Sequence, residues 1–240
     1  MAHCLSLVSL IYNGEEGVSS DQLFKKKKFR SASELARNKA KKSPYATIAI
    51  VCEDSKSSPS YFNELKKHFR LNTANIIVVP SKGSAPINVV DYAIEMAKNT
   101  PDIDHIACVF DRDTHESYER AISKLKAYKP NRTDKSKPIY RAITSTPCYE
   151  IWLLLHFCYT TKAYSASGAK SAGDYLTSDL RKHLASYKKN TIDWFDKIIN
   201  NLEMAIKHAK QLQKHNSSTS STNPSTDMHE LIEFLTGLKK

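Results

Sequence analysis

Apolar residues change their spacing several times along this chain, and each change predicts a different element of secondary structure. Short continuous apolar runs alternate with stretches in which apolar positions recur at helical intervals. The runs are typical of strands that are buried on both faces, and the helical intervals indicate amphipathic helices. The runs are residues 47–52 (TIAIVC), 75–79 (NIIVV), 106–110 (IACVF) and 139–143 (IYRAI).

Helical spacing fills the segments between these strands. Pro59 is placed to begin one helix, and similar patterns cover residues 87–98 and 118–125. Strands that alternate with helices of this length form β-α-β units, which produce a parallel sheet with right-handed crossovers. We therefore predict an α/β fold whose four-stranded, mainly parallel sheet is flanked by helices.

Beyond Phe157 the pattern is helical only. Pro147 is placed to begin an apolar helix just before this point, and residues 174–187 and 191–212 continue with a helical period. Asp227, followed by Glu230, is expected to cap a last short helix.

These changes of pattern predict three parts of the chain. Residues 1–43 form a basic, partly disordered arm, residues 44–158 an α/β domain and residues 159–240 a helical region. A Ser/Thr-rich loop is expected within the last part, at residues 216–226.

The net charge of +11 is concentrated in one segment. Residues 24–42 contain nine basic side chains and one acidic side chain, so this segment carries +8 and leaves about +3 for the rest. A solvated arm fits this composition, and so does an arm that contacts nucleic-acid phosphates and loses affinity steeply with salt. The candidate contacts are Lys25, Lys26, Lys27, Lys28 and Arg30.

The cysteines and the apolar runs indicate the compartment. None of the five cysteines forms a CxxC pair, and Cys52 and Cys108 lie in apolar runs where a free thiol is expected to be buried. This usage favours a reducing cytoplasm and argues against a zinc site. No apolar run is long enough for a membrane span, and the first residues lack the basic region of a signal peptide. We expect a cytoplasmic protein without membrane contact.

Acidic residues follow two of the predicted strands directly. Glu53 and Asp54 follow the first strand, whereas Asp111 and Asp113 follow the third. Ligands of open α/β sheets collect beyond the carboxyl ends of the strands, so these side chains would share one site if the two strands are neighbours. Capping of the next helix would account for one of the two aspartates in DRD, but not for both.

Carboxylates in such proximity raise one another's pKa unless a cation joins them. Oxygen-only ligation selects Mg²⁺ or Mn²⁺. Such an ion polarises a phosphate oxygen and lowers the pKa of a bound water, which is the chemistry of phosphodiester hydrolysis. Glu53, Asp111 and Asp113 are therefore candidate metal ligands.

Glu150, in PCYEIW, is a further candidate catalytic residue. It leads directly into an apolar run and is expected to be only partly solvated and to need a partner, although the helix dipole alone also favours a glutamate there. His156, on the same apolar stretch, is expected to be a core histidine. Four side chains are candidates for stabilising charge on a phosphate, and each also fits an ordinary surface position: Lys56, Lys82, Arg112 and His115.

The arrangement of acids resembles the TOPRIM fold, whose signature is a glutamate after the first strand and Asp-x-Asp after the third. Four stretches also resemble the RloB-like family, TOPRIM-type proteins associated with restriction and anti-phage defence loci. They are IVCEDSKSSPSYF, VFDRDTHE, STPCYEIWLLLHF and NPSTDMHELIEFL. The resemblance runs from roughly Lys42 to the C-terminus.

This resemblance implies a Mg²⁺- or Mn²⁺-dependent nuclease with Glu53, Asp111 and Asp113 as metal ligands. It implies nucleic acid as the substrate, with RNA, including tRNA, ahead of DNA, and an ATPase as a partner in defence. It leaves the oligomeric state open.

The first motif departs from the family pattern. Asp54 stands where the family usually has glycine, and Ser57 and Ser58 stand where it has a Thr-Glu pair, so one expected carboxylate is missing. Three consequences are open: Asp54 replaces that carboxylate, metal affinity is reduced, or the chain has moved toward a binding role.

Two other functions compete with a nuclease. One is a non-catalytic subunit that binds nucleic acid and a defence partner. The other is an aspartyl-phosphate phosphatase, because residues 111–114 read DRDT and match the DxDxT nucleophile motif. That motif belongs on a first strand, whereas here two predicted strands precede it.

Overall fold

The computed structural model describes residues 46–72, 75–100, 102–112, 116–128 and 138–238. Its strands are β1 (Ile48–Cys52), β2 (Ile76–Pro80), β3 (His105–Asp111), β4 (Ile139–Thr146) and β5 (Ser225–Thr226). Its α-helices are α1 (Ser57–His68), α2 (Pro86–Asn99), α3 (Tyr118–Ala127), α4 (Glu150–Leu154), α5 (Ala172–His183), α6 (Phe195–Ile198), α7 (Leu202–Thr219) and α8 (Met228–Gly237), and a 3₁₀ turn, Ile199–Asn201, joins α6 to α7.

The strands form one mixed sheet in the order β2-β1-β3-β4-β5. The first four strands are parallel, whereas the two-residue β5 pairs antiparallel with the end of β4. The predicted α/β class is thus confirmed, with a fifth strand added to the expected four. β1 and β3 are direct neighbours, as the predicted acidic site requires.

The sheet is covered on both faces because successive residues of β1 point to opposite sides. Ile48 and Ile50 belong to an apolar core shared with α1 and the helices that follow β4. Ala49 and Val51 belong to a second core, formed with α2 and α3. All four side chains are fully buried, which explains why residues 48–51 are all apolar.

Two boundaries near the C-terminal half differ from the predicted ones. Residues 216–219 continue α7 instead of opening the Ser/Thr-rich loop, and β5 occupies part of the remainder. The apolar helix after β4 begins at Glu150 and not at Pro147, because β4 extends to Thr146 to pair with β5. Local periodicity could not indicate this pairing, since its two partners are far apart in the chain.

Asp227 does not cap α8 through its side chain. Its Oδ2 instead accepts hydrogen bonds from the backbone N–H of Thr144 (3.1 Å) and from the Thr144 hydroxyl (2.7 Å). The helix does begin directly after Asp227, as expected, but the carboxylate of this N-cap residue accepts hydrogen bonds from Thr144 of β4 and not from the first turn of α8.

Several expectations fall outside the described residues. These include the basic arm at residues 1–43 and, next to β3, Asp113 and His115. Within the described ranges, each helix is either too short or too polar to cross a lipid bilayer.

Candidate active site

Glu53 and Asp111 meet at the carboxyl ends of β1 and β3. The parallel register continues past β1, since the Glu53 backbone N–H donates to the Val109 carbonyl at 2.9 Å. The Glu53 side chain then turns toward β3, and its Oε2 accepts a hydrogen bond from the Asp111 backbone N–H at 2.8 Å. Adjacent parallel strands thus bring together two acids that lie far apart in the sequence.

A cleft of about 430 Å³ opens beside these two carboxylates. Its walls come from the segment after β1, the loop after β2, the end of β3, the start of α4 and the loop after α5. Among the lining residues are Lys56, Ser84, Tyr149, Glu150 and Lys189. Its position beyond the carboxyl ends of the strands is the usual ligand site of an open α/β sheet.

Glu150 lies at the start of α4 and is only 2% exposed. Its Oε1 accepts a hydrogen bond from the Tyr187 hydroxyl at 2.9 Å and forms an ion pair with Lys189 Nζ at 3.0 Å. Burial would raise the pKa of this carboxyl, but the Lys189 charge and hydrogen bonds from Cys148 and Lys189 lower it overall. Glu150 is therefore ionised, more buried than expected, and supplied with the partner that its setting requires.

Lys189 is the functional candidate that sequence reasoning missed. Burial lowers the pKa of Lys189, but the neighbouring Glu150 carboxylate more than offsets this effect. The net pKa is raised, so the ammonium stays charged. Ser57 fixes this loop, because its hydroxyl donates to the Lys189 carbonyl at 2.8 Å. The KKN stretch around Lys189 looks like ordinary polar surface, and no local signal distinguishes it.

The ionised form of Asp111 is strongly disfavoured in the cleft. Burial raises its pKa well above the ordinary aspartate value, and the Glu150 and Glu53 carboxylates raise it further. Lys189 opposes this effect without overcoming it. Asp111 thus sits among like charges that a cation would relieve.

Asp54 has a structural role. Its Oδ1 accepts a hydrogen bond from the Lys56 backbone N–H at 2.8 Å, and its Oδ2 accepts one from the Ser58 hydroxyl at 3.0 Å. The Ser58 backbone N–H also donates to this carboxylate. Asp54 therefore satisfies donors at the start of α1, and the residues that depart from the family pattern form a network that links α1 to the Lys189 loop.

The predicted cations occupy different places. Lys56 lines the cleft. Lys82 lies over the Tyr92 ring, 5.2 Å from its centroid, and forms a 3.5 Å exposed ion pair with Glu95. Arg112 lines a separate groove.

His156 is a core residue, as expected. It is 1% exposed, and its Nδ1 lies 3.0 Å from the Trp152 carbonyl oxygen. Burial lowers the pKa of His156 to about 4, so the ring is neutral near pH 7. Its Nε2 has no hydrogen-bond partner among the described residues.

The donor set fits a hard cation in its chemistry. Glu53 and Asp111 offer only oxygen, and burial, followed by the nearby Glu150 and Glu53 carboxylates, raises the pKa of Asp111. The described residues contain no cluster of three His, Cys, Asp or Glu side chains arranged to hold a metal. Asp113, the third expected ligand, lies outside those residues. Glu53 and Asp111 are thus the described residues that would hold Mg²⁺ or Mn²⁺.

Comparison with known proteins gives one family. The family model described as RloB-like protein matches residues 48–235, which span the whole sheet and the helices as far as most of α8. No curated protein matches the chain significantly.

Proposed function

Because the chain belongs to the RloB-like family, we propose that it is a TOPRIM-type, metal-dependent nuclease that acts in anti-phage defence. The observation that carries this proposal is the 2.8 Å hydrogen bond from the Asp111 backbone N–H to Glu53 Oε2. It joins the acidic ends of two neighbouring strands at the mouth of one cleft. The pattern of a glutamate after the first strand and Asp-x-Asp after the third supports the TOPRIM assignment.

The candidate acidic and basic residues have distinct roles in this proposal. Glu53, Asp111 and Asp113 would hold Mg²⁺ or Mn²⁺, and such an ion would polarise a phosphate oxygen and lower the pKa of a bound water. The Lys189 ammonium, with its side chain 61% exposed, contacts a non-bridging oxygen of the scissile phosphate. Glu150 holds that ammonium in place, and Lys56 contributes a second positive charge at the rim.

The substrate is a nucleic-acid strand, and family analogy places RNA, including tRNA, ahead of DNA. The basic segment with Lys25, Lys26, Lys27, Lys28 and Arg30 supports this choice, because phosphate contacts of this kind dominate nonspecific affinity. An ATPase partner is part of the proposal on the family resemblance alone.

The test compares wild type, Glu53→Gln and Asp111→Asn on pools of RNA and on plasmid DNA, with Mg²⁺, with Mn²⁺ and with EDTA. We expect metal-dependent cleavage by wild type and at least a hundredfold loss in each variant, as is typical when an essential electrostatic group is removed. Equal behaviour of all three proteins would contradict catalysis at this cleft.

Matched controls separate the site from general effects of charge. Asp102→Asn removes an exposed carboxylate near the amino end of β3, and Glu203→Gln removes one from the exposed face of α7. Both variants should cleave like wild type. Survival after phage infection, measured with the same set of variants, tests the defence role.

A non-catalytic binding subunit is the second candidate, and the first motif favours it. Ser57 and Ser58 replace an expected Thr-Glu pair, and the Asp54 carboxylate accepts hydrogen bonds from Lys56 and Ser58 at the start of α1. A binding subunit would associate with nucleic acid equally well with and without Mg²⁺, and Asp111→Asn would leave its defence activity intact.

A further inference from the structure

A second concave surface is lined by Arg112, the residue that follows Asp111. It is a groove of about 310 Å³ between the end of β4, the last turns of α7 and the segment that leads into α8. We name it the hydroxyl groove, because hydroxyl and amide side chains dominate its lining. Its residues used below are Arg112, Tyr118, Thr146, Asn216, Ser217 and Thr222.

The groove begins one residue from the candidate metal site. Asp111 lines the cleft and Arg112 lines the groove, and consecutive Cα atoms are about 3.8 Å apart. The Arg112 backbone N–H donates to the Ser145 carbonyl of β4 at 2.7 Å, so the sheet fixes its position. A chain-like ligand that crossed the carboxyl end of β3 would pass from the cleft to the groove.

Hydrogen bonds within the protein hold the floor of the groove. The Ser145 and Thr226 hydroxyl oxygens lie 3.0 Å apart, and the Ser225 hydroxyl donates to Thr146 Oγ1 at 3.0 Å. Asp227 is the only acidic side chain among the described residues of this lining. Two hydrogen bonds from Thr144 engage one of its oxygens. The floor is preorganised, so a ligand need not order it on binding.

The wall retains groups that can serve a ligand. Asn216 Nδ2 donates to the Pro224 carbonyl at 2.8 Å, whereas its Oδ1 is buried without a partner among the described residues. An unpartnered buried acceptor costs free energy unless a ligand donor satisfies it. Thr222 is exposed and contributes a further hydroxyl.

Arg112 supplies the positive charge of the groove. Its side chain is 39% exposed, and its guanidinium lies over the Tyr118 ring, 5.2 Å from the centroid. Its ion pair with Glu119 is long, at 3.5 Å, and Glu119 is 75% exposed, so a phosphate can compete for the guanidinium. Stacking on the tyrosine restricts the arginine and leaves its N–H groups available for such a contact.

We propose that the hydroxyl groove binds the sugar–phosphate backbone of the substrate strand next to the scissile phosphate. The inference rests on the proposed function, since it names the path of the strand that the nuclease would cut. One guanidinium for a phosphate and several neutral donors and acceptors for sugar hydroxyls match this ligand. A protein partner would instead need large apolar anchors, which are not what dominates this lining.

The test measures binding in EDTA, where no metal-dependent cleavage occurs. The probes are a fluorescein-labelled 12-nucleotide RNA and the DNA of the same sequence, titrated with the full chain at several salt concentrations. Arg112→Ala should weaken binding by about tenfold at low salt. It should also reduce the slope of log K against log salt by about 0.7, the value for one lost contact to a single strand.

Arg120→Ala is the matched control. It removes the same charge from an exposed position of α3 that does not line the groove, and it should leave the salt slope unchanged. Thr222→Val keeps the side-chain shape and removes a neutral hydroxyl. It should weaken binding by about two- to tenfold with no change of slope. Circular dichroism confirms that each variant is folded.

The outcomes separate this inference from the proposed function. Weaker RNA binding in both groove variants, with DNA affected equally or less, supports the groove even if wild type proves unable to cleave. Groove variants that bind both probes like wild type would overturn the inference even if Asp111→Asn abolishes cleavage. Failure of wild type to bind either probe would overturn it as well.

Discussion

Lys189 Nζ lies 3.0 Å from Glu150 Oε1, and this ion pair joins a loop after α5 to the first turn of α4 at the wall of the cleft. Glu150 is 2% exposed, whereas the Lys189 side chain is 61% exposed. The ion pair therefore stabilises the charge of the buried carboxylate more than that of the ammonium, which water also solvates. The exposed part of Lys189 remains available to a ligand in the cleft.

We first predict the stability effect of breaking this pair. Lys189→Met leaves the buried Glu150 carboxylate with fewer partners and should cost about 1–2 kcal/mol, less than for a fully buried pair because water screens Lys189. Lys189→Met combined with Glu150→Gln should cost less than the sum of the single changes. Urea unfolding of the four proteins at pH 7 measures this coupling, and strictly additive costs would contradict it.

The same pair predicts a dependence on pH. The lowered pKa of Glu150 means that its contribution is present above its ordinary value of 4.5 and is lost as the pH falls through the lowered pKa. The raised pKa of Lys189 means that its contribution persists at 10.5 and is lost only at higher pH. The difference in free energy of unfolding between wild type and the double variant should therefore be constant between pH 4.5 and pH 10.5. It should shrink at lower and at higher pH. A difference that disappears near pH 7 would exclude this ion pair as its cause.

Asp111 should oppose stability in the absence of metal. Its pKa is raised, so ionisation of Asp111 lowers the free energy of unfolding as the pH rises from the ordinary pKa of 3.8 through the raised pKa. Asp111→Asn should therefore raise the melting temperature near pH 7, by about 2–4 °C for each kcal/mol of repulsion removed.

Metal provides the complementary measurement at this position. Mn²⁺ should raise the melting temperature of wild type by mass action and leave that of Asp111→Asn nearly unchanged. Asp102→Asn is the control for both experiments and should follow wild type. A variant at Asp111 that melts below wild type without metal would contradict the electrostatic argument.

Asp54 should prove structural and not catalytic. Asp54→Ala removes acceptors for the N–H groups at the start of α1 and should cost about 1 kcal/mol, as for the loss of a helix cap. Asp54→Asn keeps an acceptor oxygen and should retain both stability and metal-dependent cleavage. Loss of cleavage in a stable Asp54→Asn protein would show instead that this carboxylate replaces the missing one.

His156 should make the fold sensitive to mild acid. With a pKa of about 4 in the folded state and about 6.5 in the unfolded chain, its contribution is complete above pH 6.5. The free energy of unfolding then decreases by about 3 kcal/mol in all as the pH falls toward 4. His156→Gln should flatten the stability profile in this window, measured by urea unfolding, whereas a change at the exposed His68 should not. Parallel profiles for wild type and His156→Gln would contradict this assignment.

The sequence by itself determined where the four parallel strands lie and which of them end in acids. Continuous apolar runs such as TIAIVC follow from burial on both faces, and the alternation with helices restricts the sheet to parallel neighbours. These local rules were enough to place Glu53 and Asp111 at one edge. They also indicated that Glu150 would need a partner.

Only the tertiary structure decided which partners these residues have. Lys189, Ser57 and Asp227 look like ordinary polar residues in their local sequence, and each acts through a contact with a segment distant in the chain. Periodicity reports which face of an element is apolar, because burial is imposed residue by residue. It carries no information about which distant loop closes on that element, since that depends on how the whole core packs.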